Sequence, residues 1–153
     1  MVRVRSVVHP IEQESFAILR SRVNLSHLSP LSRAVTERVV HSSADLDYVT
    51  DLVLSEDALR QGWEALRAGA PVVADVQMVA AGITTREVVC HVRTAAATEE
   101  LTRSAAAVRL AFEEVGPGAV WVVGCAPTAL FEIVAGGYGP ALVIGLPVCF
   151  VGA

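Results

Sequence analysis

Histidine and cysteine are the residue types of this chain that could transfer protons, attack a substrate or bind a metal, and both are scattered. No Cys-x-x-Cys pair occurs, and the histidines lie too far apart for local metal ligation. The Walker A, GxGxxG, GxSxG and HExxH motifs are also absent. Spacing alone therefore selects no catalytic residue among His9, His27, His41, His91, Cys90, Cys125 and Cys149.

A loop at residues 124–128 could carry a nucleophile or bind an anion. Cys125 follows an apolar segment and precedes Pro127, where a helix is predicted to begin. The helix dipole could activate the Cys125 thiol, and the alternative is a small packed thiol without a chemical role. The backbone N–H groups of the same loop could bind a carboxylate.

Arg103 and Ser104 stand near the start of another predicted helix, where a guanidinium and a hydroxyl could bind the same anion. The alternative is a solvent-exposed arginine paired with Glu99 or Glu100. All 12 basic residues are arginines. Either a biased genome or the recognition of carboxylates by guanidinium groups would explain this composition.

The composition predicts one globular domain over residues 1–153. The chain is 53% hydrophobic and 18% charged, which excludes a disordered chain and allows a substantial core. Its net charge of -4 disfavours nucleic acid as a partner, because phosphate-binding proteins are usually basic. The dispersed cysteines, and the lack of a signal-like apolar segment before Glu12, predict a cytoplasmic protein.

Helices are predicted for the first part of the chain. Apolar residues recur at helical spacing around Phe16, and again at Leu31, Val35 and Val39 after a Ser-Pro pair at positions 29–30. A third helix is predicted from residue 55 to residue 69, with Trp63 on its buried face.

From residue 71 onward, apolar segments alternate with helical patterns, which is typical of a parallel sheet covered on both faces. Strands are predicted at 71–76, 87–92, 119–124 and 140–148, with helices over 101–115 and 127–134. The uncharged segment 133–153 is long enough to span a bilayer, but its prolines and glycines favour a buried strand instead. Chemistry is expected in the loops after Val76, Val92, Gly124 and Leu146, beyond the carboxyl ends of the strands.

Six blocks, in one order along the chain, form a more specific pattern than any single motif. They are His9-Pro-Ile-Glu with Ser15-Phe-Ala-Ile, Arg38-Val-Val-His41, residues 68–84 with Asp75, Thr102-Arg-Ser-Ala, Gly124-Cys-Ala-Pro-Thr, and Gly145-Leu-Pro-Val. Together these blocks resemble the precorrin-8X methylmutase family, also called precorrin isomerase, over nearly the whole chain.

The resemblance implies a flavodoxin-like, three-layer α/β/α fold with a mainly parallel sheet and a helical N-terminal segment. It implies an isomerase of cobalamin biosynthesis that moves a methyl group within ring C of precorrin-8X to give hydrogenobyrinic acid. Such an enzyme would act as a homodimer without a metal or organic cofactor, and related enzymes act on the cobalt forms. The alternatives are a non-catalytic corrinoid-binding protein, or a flavodoxin-like scaffold with a vestigial site.

In this family the histidine of the Val-His block is the catalytic acid/base, and His41 occupies that position. An imidazole can hold or release a proton near neutral pH, as selection of a macrocycle tautomer requires. Two arginines are predicted to clamp the substrate carboxylates, and a serine and a threonine to line the pocket. The residues predicted to bind the substrate are Ser15, Arg20, Thr84, Arg103 and Ser104.

Other positions are lesser candidates or depart from the family. The amides near Ala126 and Thr128 could contact the substrate, and Asp75 matches a carboxylate that organises the loop after its strand. Cys125 stands where the family usually has asparagine, and Cys149 where it has glycine. The family also continues beyond the last block, which ends here with Phe150-Val-Gly, so the resemblance predicts that one sheet edge and part of the pocket are missing from this chain.

Overall fold

The computed structural model describes residues 9–146, so residues 147–153, with Cys149, lie outside the described part. The chain divides into two compact units, Met1–Arg60 and Gln61–Ala153, which we call the N-terminal and C-terminal units. The single domain predicted for residues 1–153 stays a prediction. The elements are α1 (Pro10–Arg22), α2 (Pro30–Ser43), α3 (Tyr48–Asp51), α4 (Glu56–Arg67), β1 (Val72–Ala74), α5 (Gln77–Gly82), α6 (Arg103–Val115), β2 (Val120–Val123), α7 (Pro127–Gly136) and β3 (Leu142–Gly145).

In the N-terminal unit, α1 packs against α2, and α2 begins at the predicted Ser-Pro pair. The buried face of α2 differs from the predicted apolar stripe by one position. Its most buried residues are Ser32, Thr36 and Val40, whereas Leu31, Val35 and Val39 are half-buried. Hydrogen bonds make this burial of polar groups possible, since Thr36 Oγ1 donates to the Ser32 carbonyl at 2.9 Å.

The C-terminal unit contains a parallel sheet in the order β1-β2-β3, which confirms the predicted α/β class. Val72 pairs with Val120, and Val120 in turn with Leu142. The strand predicted at residues 87–92 is wrong for most of its length, because only Val89 forms a parallel bridge, to Val73. Its N–H and carbonyl bond to Val72 and Ala74, both at 2.9 Å.

The core of the C-terminal unit lies between β1, β2, α6 and α7. Its buried members include Val73, Val108, Ala111, Trp121, Val123, Ala129 and Ile133. The rings of Phe112 and Tyr138 pack beside them, with centroids 4.4 Å apart. Burial raises the pKa of Tyr138 to about 12, and its hydroxyl donates to Glu132 at 2.7 Å.

Gly62 is the most buried residue of α4, and it allows a close approach to β3. A Cβ atom at this position would lie 2.5 Å from Leu142 Cδ2 and 2.6 Å from Leu142 Cβ. Trp63, predicted to be buried, is instead 49% exposed, with the Arg67 guanidinium 4.7 Å from its ring centroid. A glycine thus occupies the packed face of this helix, which an apolar pattern does not reveal.

The short helices α3 and α5 were not predicted, because each has too few residues for a helical period to show. The uncharged segment near the C-terminus forms the end of α7 and then β3, as far as Leu146. Within residues 9–146, no helix has both the length and the apolar character needed to cross a membrane.

Candidate active site

His41 lies in the last turns of α2 and Ser15 in the middle of α1, and their side chains meet. Ser15 Oγ and His41 Nδ1 are 2.8 Å apart, although the residues are 26 positions apart in the chain. A hydroxyl can donate to an unprotonated Nδ1 or accept from a protonated one, so Ser15 suits either tautomer. No described group hydrogen-bonds to His41 Nε2, which leaves that nitrogen available for proton transfer to a ligand.

The ring of Phe16 stacks on the imidazole of His41. The two centroids are 4.4 Å apart and the planes differ by 10°. Ser15 and Phe16 are adjacent in α1, so two consecutive residues fix the histidine, one through a hydrogen bond and the other through ring contact.

A pocket of about 100 Å³ opens beside the Ser15–His41 pair. Ile18 and Leu46 also line it, and they are 46% and 41% exposed, so an apolar surface faces solvent next to the imidazole. Arg22 contributes a cation to the same lining. Pockets that enclose a small-molecule ligand measure roughly 300–1,000 Å³. This pocket is therefore too small to enclose such a ligand by itself.

Arg20, predicted as a substrate clamp, already binds a carboxylate of this chain. Its Nε and Nη2 atoms donate to the two carboxylate oxygens of Glu37, at 3.0 and 2.7 Å. The hydrogen bond from Arg20 lowers the pKa of Glu37, and the same bond raises the pKa of Arg20. To clamp a substrate carboxylate through these donors, Arg20 would have to release Glu37.

Asp75 occupies the anion site predicted at the start of α7. The residue follows β1 and is only 4% exposed. Its carboxylate accepts hydrogen bonds from the backbone N–H groups of Gly124 at 3.2 Å, Cys125 at 2.9 Å and Ala126 at 2.7 Å. The amide of Ala126 is thus bound internally and would have to release Asp75 to contact a substrate, so the contacts predicted for the amides near Ala126 and Thr128 stay predictions. The organising role predicted for Asp75 agrees with this geometry.

The predicted pocket residues of the C-terminal unit lie near the start of α6 and after α5. Arg103 is exposed at the first position of α6, and no described residue forms an ion pair or hydrogen bond with it, so the suggested pairing with Glu99 or Glu100 does not occur. Ser104 follows it and is half-buried, while Thr84 is exposed in a turn. Thr102 Oγ1 donates to Thr128 Oγ1 at 2.8 Å and links the starts of α6 and α7.

The other described cysteines and histidines have separate environments. Cys90 and Cys125 are free thiols, both half-buried. His91 Nε2 lies 2.7 Å from Glu114 Oε2, and His9 accepts the Ile11 N–H at the start of α1. In the part of the chain from residue 9 to residue 146, no three His, Cys, Asp or Glu side chains lie close enough together to hold a metal ion.

The sequence did not reveal two parts of this geometry, the stacking of Phe16 on His41 and the bonds from Asp75 to the loop before α7. Phe16 reads as an ordinary apolar helix residue, and Asp75 lies about 50 positions from its partners. The adjacency of Ser15 and Phe16 in one family block is the one signal that could have indicated the stack.

Comparisons with known proteins give a consistent result. The sequence model of the family described as "Precorrin-8X methylmutase" matches residues 10–153. A "Precorrin-8X methylmutase" of Sinorhizobium sp is 39% identical over 94% of this chain and 75% of that protein. A "Cobalt-precorrin-8 methylmutase" of Salmonella typhimurium is 37% identical over 94% of this chain and 76% of that protein.

A solved structure leads to the same family. The precorrin-8X methyl mutase of Thermus thermophilus superposes with a TM-score of 0.77 at 36% identity, over 93% of this chain and 76% of that one. The family match, the curated relatives and the structural likeness all extend over nearly the whole chain and confirm the predicted resemblance. This chain belongs to the precorrin-8X methylmutase family.

Proposed function

We propose that this chain is an isomerase of cobalamin biosynthesis that converts precorrin-8X to hydrogenobyrinic acid, with His41 as its acid/base. The observation that carries the proposal is the Ser15–His41 hydrogen bond of 2.8 Å beside an open pocket, with His41 Nε2 unbonded among the described residues. The curated relatives are named as methylmutases, which supports an enzyme over a non-catalytic corrinoid-binding protein.

The reaction moves one methyl group, with its bonding electrons, between adjacent carbons of ring C. One carbon–carbon bond breaks and another forms, and substrate and product are isomers, so no oxidant or reductant is consumed. His41 Nε2 gives or takes the proton that selects the reactive tautomer of the macrocycle. Ser15 stabilises the matching tautomer of the imidazole through Nδ1, because its hydroxyl can act as donor or acceptor.

The substrate carries several carboxylates, and the proposed contacts are cations and hydroxyls. Arg103 suits this role best, because it is exposed and without an ion pair in the described part of the chain. Ser104 and Thr84 are proposed as neighbouring donors. Ser15 contacts the substrate only at the edge of the His41 pocket, and Arg20 does so only by exchanging Glu37 for a substrate carboxylate.

We further propose a homodimer that works in the cytoplasm. Both the metal-free and the cobalt forms of the substrate deserve assay, because the names of the relatives include "Precorrin-8X methylmutase" and "Cobalt-precorrin-8 methylmutase". The cobalt ion in that case belongs to the substrate.

His41→Ala tests the proposal directly. Loss of a positioned acid/base typically costs about 10²- to 10⁴-fold in rate, so conversion of precorrin-8X, followed by visible absorption, should fall by this factor. Binding of hydrogenobyrinic acid, measured by titration of its visible bands, should largely remain.

Two further variants complete the test. His27→Ala removes an exposed histidine of the same unit and should leave the rate unchanged. Arg103→Ala should weaken binding of hydrogenobyrinic acid. Conversion at an unchanged rate by His41→Ala would refute His41 as the acid/base.

A further inference from the structure

Phe16 lies at the centre of a cluster of charged and aromatic side chains formed by α1 and α2. Its ring stacks on His41. The guanidinium carbons of Arg20 and Arg38 lie 5.5 and 5.2 Å from the centroid of the same ring. Both distances are within the range in which a cation is attracted to an aromatic ring.

Each guanidinium near Phe16 is held in place by a carboxylate. Glu37 binds Arg20 through two hydrogen bonds, and Glu12 Oε1 accepts from Arg38 Nη1 at 3.0 Å. These pairs cross between the helices, because Glu12 and Arg20 belong to α1 while Glu37 and Arg38 belong to α2. The environment of the Phe16 ring is therefore fixed by contacts from both helices.

The Phe16 ring restricts the plane of the imidazole, which the hydrogen bond to Ser15 does not. A bond at Nδ1 fixes one atom of the imidazole but leaves the ring free to turn about that atom. A parallel ring at 4.4 Å fixes the plane as well, and thus the direction in which Nε2 points. Proton transfer depends on such orientation, and small misplacements can reduce a rate by about 10²-fold.

We propose that Phe16 is a positioning residue, which holds the imidazole plane of His41 so that Nε2 faces the reacting ring of the substrate. The proposal rests on the catalytic role of His41 proposed above. Arg20 and Arg38 act on the reaction through Phe16, by restricting its ring.

Phe16→Leu removes the ring but keeps an apolar side chain. We expect kcat to fall about 10- to 100-fold while KM changes little, because the substrate contacts remain. Phe16→Tyr keeps the stack and should restore most of kcat. Ile11→Ala, which shortens an exposed apolar side chain of the same helix, should leave both constants unchanged.

Proton NMR of the substrate-free protein provides a readout independent of turnover. The imidazole protons of His41, identified by their absence in His41→Gln, should be shifted upfield by the Phe16 ring and move downfield in Phe16→Leu. Far-UV circular dichroism checks that each variant is folded.

The outcomes separate this inference from the proposed function. An unchanged kcat in Phe16→Leu, with His41→Ala inactive, would overturn the positioning role and leave the function standing. A raised KM with unchanged kcat would overturn it too, since Phe16 would then be a substrate contact. Full turnover by His41→Ala would refute the catalytic role of His41 on which this inference rests, whatever the NMR shifts, while the isomerase activity itself would stand.

Discussion

Glu56 in the N-terminal unit and Asp75 in the C-terminal unit each accept hydrogen bonds from backbone N–H groups near the start of a helix. The two carboxylates differ in burial. The Glu56 carboxylate accepts the N–H groups of Leu31 at 3.0 Å and Ser32 at 2.8 Å, at the start of α2. The Asp75 carboxylate accepts three N–H groups before α7. Glu56 is half-buried, whereas Asp75 is 4% exposed.

This comparison shows how the helix starts are stabilised. The side chains at the two N-cap positions, Ser29 and Ala126, form no capping hydrogen bond. A carboxylate from a distant part of the chain accepts backbone N–H groups in both cases, in the first turn of α2 and in the loop that leads into α7. A proline in the first turn marks where each helix begins. The hydrogen bonds to the backbone N–H groups come from a carboxylate distant in the sequence.

The largest effect is expected for Asp75→Ala. The change leaves three N–H groups without their acceptor in a buried place, and the loss of a charged hydrogen-bond acceptor there should reduce the free energy of unfolding by about 3 kcal/mol. Urea unfolding followed by far-UV circular dichroism measures it. Asp75→Asn, which keeps one carbonyl oxygen, should lie between this variant and the wild type. A loss below about 1 kcal/mol would show that the amides find other partners.

A smaller effect is expected for Glu56→Gln. The amide retains one oxygen that can accept from Leu31 or Ser32, and water reaches this half-buried site more easily than it reaches Asp75. The same urea titration should therefore show a loss clearly below that of Asp75→Ala. Glu64→Gln, in the same helix but exposed, is the matched control and should be neutral. Equal losses of unfolding free energy for Glu56→Gln and Asp75→Ala would show that the difference in burial between the two carboxylates has no effect on stability.

The smallest expected effect is the pH dependence of the stabilisation that Glu56 provides. Burial alone would raise the pKa of Glu56, but hydrogen bonds from Ser32 Oγ and from the N–H groups of Leu31 and Ser32 outweigh it and lower the pKa below 4.5. The stabilisation is therefore complete above pH 4.5 and is lost as the pH falls through the folded-state pKa. Unfolding of the wild type and of Glu56→Gln between pH 7 and pH 3 should converge at the acidic end. A difference in the free energy of unfolding between the two proteins that stays constant from pH 7 to pH 3 would contradict the lowered pKa of Glu56.

The sequence was sufficient to predict those elements whose structure depends on residues close to one another in the chain. The helix predicted over residues 101–115 is α6, because its apolar spacing and the terminal Gly116, at φ +68°, are local signals. The strand at residues 87–92 was not predictable in the same way, since strand length depends on a paired partner and only Val89 has one. Gly62 shows the converse, a packed position that carries no apolar side chain.

The same distinction holds for the candidate site. The role proposed for His41 comes from the family resemblance, and no spacing rule pairs this residue with Ser15 on another helix. The rule that ligands bind beyond the carboxyl ends of strands indicated the loop before α7. There the chain supplies its own anion, Asp75, because the same free N–H groups that attract a substrate carboxylate also stabilise an internal one.

The positions of the two tryptophans decide which part of this protein fluorescence can report. Trp63 and Trp121 both belong to the C-terminal unit, one 49% exposed and the other 2% exposed. Exposure of Trp121 to water on unfolding shifts its emission to longer wavelength, while α1 and α2 contain no indole. Emission thus reports unfolding around β2 and α4 but not directly that of α1 and α2, so a gap between the fluorescence and circular dichroism transitions would show that the helix pair around His41 unfolds separately.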